Sequence, residues 1–83
     1  MPKKTLEKGD LILTSPNTHA GLRNLGSYNK YSLNSNYGKI YILREPVIFL
    51  EQVFDKLIIY SLEYSSYFWI YKSELKRNLS KPP

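Results

Sequence analysis

His19 is the one histidine in the chain, and it stands among hydroxyls: Thr14, Ser15, Thr18 and Ser27. The chemistry such a group suggests is nucleophilic catalysis, with the imidazole as base and a hydroxyl as nucleophile. The orienting member is missing, because no acidic residue lies between Asp10 and Glu45. His19 is therefore read as an exposed loop residue. The carboxylates Glu45, Glu51, Asp55, Glu63 and Glu74 are scattered, each beside a Lys or Arg or in a polar turn, which is the pattern of ordinary surface charge. Gly21 and Gly26 lack the spacing, and the following helix, of a phosphate cradle. With no cysteine there is no thiolate chemistry, disulfide framework or Cys-based zinc site, and a single histidine excludes multi-His metal centres. The expectation is a protein that is not an enzyme and carries no cofactor or metal.

Recognition is better supplied. Twelve Lys and Arg face seven Asp and Glu, for a net charge of +5. Lys3, Lys4 and Lys8 lie at one end and Lys72, Lys76, Arg77 and Lys81 at the other. A fold that brings its termini together gathers these into one basic patch. Such a patch suits phosphates or an acidic protein surface, and also keeps an aromatic domain soluble. Tyr28, Tyr31 and Tyr37 fall in a stretch rich in Asn, Ser and Gly, where no core needs them. Tyr in that company is typical of adaptable recognition loops. With Arg23 and Lys30 from the same stretch, they are the expected partner-binding residues. The competing reading folds these rings back onto the body as a lid.

These residues need a scaffold, and 83 residues allow one small domain. A chain of this size buries roughly 60–65% of its unfolded surface, so its core is thin. The ends, about 1–8 and 77–83, are polar and basic and read as loose. Gly9-Asp10 is a turn signal, and Leu11-Ile12-Leu13-Thr14 a short strand. From Ser15 to Tyr37 no helical or strand period survives, which marks a long loop. Lys39 to Leu43 reads as a strand, interrupted by Arg44-Glu45-Pro46. Residues 47–56 fit either a helix opened by Pro46 or a strand. Strand is favoured because five of the first eight residues are β-branched or aromatic. Asp55-Lys56 turns the chain, Leu57 to Tyr64 is a strand, Ser65-Ser66 a tight link, and Tyr67 to Tyr71 the returning strand. Lys72 to Leu75 reads as a single helical or 3-10 turn with Leu75 inward. Alternation in Leu57 to Tyr71 puts Ile58, Leu62, Phe68 and Ile70 in the core, with Ile12 and Ile40 opposite.

Three segments carry a resemblance: Glu7-Lys8-Gly9-Asp10-Leu11-Ile12-Leu13, then Gly38-Lys39-Ile40-Tyr41, then Phe68-Trp69-Ile70-Tyr71-Lys72-Ser73-Glu74-Leu75. Together they resemble SH3-like small barrels, and are similar to small accessory subunits of photosynthetic electron-transfer complexes and to short phage proteins. The resemblance implies a mainly β fold: a barrel of four or five antiparallel strands with a long first loop and a C-terminal 3-10 turn. Residues 44–56 are longer than the usual middle connection of such barrels. The fold itself hosts nucleic-acid binders, peptide binders and assembly subunits.

The functional expectation is a non-catalytic module that docks on a larger protein or complex, as accessory subunit or small inhibitor, with an acidic partner surface. The alternative is an RNA- or DNA-binding barrel using the basic patch and exposed tyrosines. No apolar run approaches the ~20 residues of a membrane span, and no apolar segment follows Lys3-Lys4 as in a signal peptide. The absence of cysteine fits a reducing compartment, the cytoplasm or an organelle stroma.

Overall fold

The computed structural model describes residues 5–15, 24–29 and 41–80. Five strands, β1 (Leu11–Thr14), β2 (Val47–Val53), β3 (Lys56–Ser61), β4 (Ser66–Tyr71) and β5 (Leu75–Asn78), form one antiparallel sheet in the order β4-β3-β2-β1-β5. A 3-10 turn, Lys72–Glu74, joins β4 to β5. Residues 47–53 are thus strand, not helix.

The sheet is open, which corrects the expected barrel. Closure requires the two edge strands to pair, and here β4 and β5 remain at opposite edges. The edge of β4 is occupied instead by part of the first connection: Asn24 bridges Phe68, and the Leu25 N–H donates to the Tyr67 carbonyl at 2.9 Å. The strand expected over residues 39–43 lies partly outside the described residues; within them, Ile42 makes an isolated bridge and no named strand. At the other edge, β5 carries Lys76 and Arg77 in a ladder against β1, with Leu13 opposite Arg77 and Thr14 opposite Leu75.

Register divides the side chains between two faces, since cross-strand partners share a face. Ile12 with Val47, Phe49 with Ile59, Ile59 with Phe68, and Leu57 with Ile70 make the front. These residues and Leu43 form the main core, against which Leu6, Tyr41, Tyr64 and Leu75 pack. Ile58 with Trp69 and Tyr60 with Tyr67 make the back, where Leu25, Leu50 and Val53 pack on Ile58 and Trp69. A bulge after Phe49 adds Leu50 to β2 and sets Glu51 opposite Ile58.

The expected core is corrected on two points. Leu62 is 62% exposed, because β3 ends at Ser61 and residues 62–65 turn. The Ser61 hydroxyl accepts the Tyr64 N–H at 3.1 Å, and Ser65 adopts φ 52°. Ile58 is fully buried but behind the sheet, so Leu57 and Ile59 hold the front positions. Ile40 lies outside the described residues. Leu75 does turn inward against the main core.

Local chemistry fixes the covering segments. Gly9 sits at φ 96°, a conformation that costs an L side chain roughly 1–2 kcal/mol, in the turn that leads into β1. The Asp10 N–H donates to the Glu7 carbonyl, and Asp10 Oδ2 accepts both the Glu7 N–H at 2.9 Å and Asn78 Nδ2 at 3.0 Å. One buried carboxylate thereby ties the entry turn to β5. Across the front, the Tyr64 hydroxyl donates to the Ile42 carbonyl at 3.0 Å, and its ring stands edge-on to Tyr41 at 4.8 Å.

Candidate functional site

The back of the sheet and the β2–β3 hairpin gather the recognition chemistry. Val53 pairs with Lys56, leaving a two-residue loop of Phe54 and Asp55. Only the first of these has positive φ: Phe54, at 57°. Two-residue hairpin loops favour Gly there, because a bulky side chain in that region of backbone space is strained. Phe54 is nevertheless 91% exposed, so no packing inside the described molecule offsets the strain. Gln52 Nε2 donates to the Phe54 carbonyl at 2.8 Å, and the Lys72 N–H donates to the Asp55 carbonyl at 2.7 Å, which anchors the loop from both sides.

Beside this tip, Lys56 Nζ lies 5.4 Å from the Trp69 ring centroid and 5.7 Å from that of Tyr71, and 3.5 Å from Asp55 Oδ1. Trp69 and Tyr71 meet edge to face at 5.2 Å. The cation thus stands over two aromatic rings, an arrangement worth about 0.5–1 kcal/mol at an exposed site. Trp69 is 2% exposed and serves as packing, as an apolar strand suggests. Tyr71 remains 40% exposed.

Farther along the same face, Tyr60 and Tyr67 lie edge-on at 4.9 Å, and Tyr28 continues the row at 5.7 Å from Tyr67. The Tyr28 hydroxyl donates to Glu51 Oε2. That hydrogen bond, reinforced by desolvation and by the carboxylate charge, pushes the phenol up to about 12. Tyr28 is therefore half loop residue and half lid: docked on the face, yet 40% exposed.

Of the other expected contact residues, Arg23, Lys30, Tyr31 and Tyr37 lie outside the described residues, as do Lys3, Lys4 and Lys81 of the basic patch and His19. Lys72 is exposed on the 3-10 turn, and Lys76 and Arg77 are exposed on β5. Among the described residues no three His, Cys, Asp or Glu come together as metal ligands, and no helix is long and apolar enough to cross a membrane. Sequence reading missed Phe54, which it placed at a strand end. The available signal was Phe-Asp between two apolar runs, but that dipeptide lacks the Gly or Asn that announces a tight hairpin.

The chain matches no protein-family model, and no curated protein or solved structure resembles it at a significant level.

Proposed function

We propose that the protein is a non-catalytic docking module, and that Phe54 is its anchor. The observation that carries this is a large apolar side chain held in a strained backbone at a hairpin tip and almost wholly exposed. Strain of this kind persists where surrounding structure imposes it, and it clusters at binding and switch regions. Val53, Tyr71 and the Lys56 stem continue the apolar surface, and a single aromatic anchor in a partner pocket is the usual energetic centre of an interface. The partner class follows from charge: a protein whose apolar pocket is rimmed by carboxylates, which Lys56, Lys72 and the net charge of +5 would steer toward this end. Of the SH3-like resemblance, the structure retains the mainly β, five-stranded antiparallel sheet and the 3-10 turn, and such a fold alone selects no function.

The test is a photo-crosslinking amino acid placed at position 54 and, separately, at Leu62, the exposed apolar residue of the other hairpin. A discrete adduct from position 54, competed away by the unmodified protein but not by Phe54→Gly, is expected. Phe54→Gly relieves the backbone strain, so its urea midpoint should be unchanged or higher by up to about 1 kcal/mol of stability. Equal competition by Phe54→Gly removes the anchor assignment. Nucleic-acid binding at physiological salt, with a log–log salt slope near −0.7 to −0.9 per phosphate neutralised and lost in Lys76→Glu/Arg77→Glu, would overturn the reading in favour of the alternative.

A further inference from the structure

A cleft opens at the far end of β1 from the docking tip's chemistry, between β1, β5 and residues 42–44. Its volume is about 490 Å³, and it is lined by Leu13, Thr14, Ile42, Leu43, Arg44 and Lys76. That volume falls within the range of small-molecule sites, roughly 300–1,000 Å³. Two observations converge on its chemistry. Leu13, Ile42 and Leu43 give it apolar walls, with Leu43 buried. Arg44 and Lys76 reach it from different segments of the chain, and among the described residues neither has an ion-pair partner.

The backbone explains the convergence. The β1–β5 ladder shifts register between Leu13 and Thr14, so Arg77 faces Leu13, Leu75 faces Thr14, and Lys76 is the extra residue of a bulge. Bulges re-aim side chains in this way at sheet edges and beside functional sites. Lys76 is thereby set on the cleft that Arg44 also lines.

We propose that this cleft binds a small aliphatic carboxylate. Arg44 offers a planar fork that matches a carboxylate, and Lys76 adds a point charge. The hydrocarbon chain lies on Leu13, Ile42 and Leu43, which gain by covering apolar surface. This goes beyond the docking reading and does not depend on it.

Octanoate is the probe, with octanol and acetate as controls for tail and head. Titration is followed by amide chemical shifts at Thr14, Leu43 and Lys76. Saturable octanoate binding is expected, with octanol and acetate each at least tenfold weaker. Arg44→Gln should weaken octanoate about tenfold, and Lys76→Gln somewhat less, as expected for charge-assisted hydrogen bonds. Thr14→Val keeps side-chain volume and removes a buried, unpartnered hydroxyl; it should leave octanoate affinity unchanged while the unfolding midpoint stays level or rises. Octanol binding as tightly as octanoate removes the anion site. Acetate binding as tightly removes the apolar walls, and affinity unmoved in both charge variants overturns the proposal.

Discussion

The two faces of the sheet spend apolar side chains differently. The front is aliphatic around Phe49 and Phe68 and is roofed by the chain itself, with Leu6 and Leu43 laid over it and Tyr64 bonded to the Ile42 carbonyl. Among the described residues the back buries only Ile58 and Trp69 completely; its other described rings, Tyr60, Tyr67, Tyr28 and Tyr71, are left half-buried or exposed. A roof made by the same chain produces stability. A face left partly open retains surface for something else, at the cost of water contact with apolar rings.

The largest test of this contrast is deletion in each face. Phe68→Ala should cost about 3–5 kcal/mol by urea denaturation, because a closed front cannot collapse around the void. Ile58→Ala should fall toward the lower end of the ~2–5 kcal/mol range for buried aliphatics, since the two-residue back cluster is smaller and its neighbours can relax. Equal costs would make the back a second full core and remove the distinction.

Asp10→Ala probes how the front's roof is held. It strips the acceptor from the Glu7 N–H and from Asn78 Nδ2, and should cost about 1–3 kcal/mol. The amides of β5 should then exchange faster with solvent than those of β3. Uniform exchange across the sheet would show that β5 does not depend on this carboxylate.

The smallest effect lies on the back, at Tyr28. An unfolded chain releases the phenolic proton near 10.0, whereas the folded protein holds it to about 12. Between these values the unfolded state loses its proton first, so ∂ΔG/∂pH is negative. The contribution is complete below pH 10 and disappears as pH rises through 12. Because Tyr28 is 40% exposed, solvent screens the effect and it should be modest. Glu51→Gln should return the Tyr28 titration, followed by phenolate absorbance against a Tyr28→Phe background, toward 10; an unmoved titration removes the hydrogen bond as its cause.

Much of the scaffold was legible in residue order. β1, the strand nature of 47–53, the β3–β4 pair and the 3-10 turn all follow from β-branched and aromatic runs and from the Lys-Ser-Glu-Leu turn. The choice of front and back was not, because Leu57 to Ile59 and Phe68 to Ile70 are apolar on both sides. Alternation then no longer says which face is inside. β5 was hidden for another reason: Lys76, Arg77 and Asn78 have poor strand propensity, and their pairing is imposed by β1. Of the residues in the candidate sites, Tyr28, Lys72 and Lys76 could be picked out by type and position, but not their surroundings. Phe54 matters through a backbone angle, and Arg44 meets Lys76 only through a bulge, neither of which composition records.

The bridge from Asn24 to Phe68 has a consequence outside recognition. β4 reads Ser-Tyr-Phe-Trp-Ile-Tyr, six residues with no charge, no proline and no glycine. Such a segment at a sheet edge is a template for fibril growth, since an identical strand from another molecule can stack on it. Asn24 and Leu25 occupy that edge with backbone hydrogen bonds before a second molecule can. Loss of these contacts would uncover the β4 edge for pairing with an identical strand of a second copy. The segment thus acts as a gatekeeper of colloidal stability, set far along the sequence from the strand it guards.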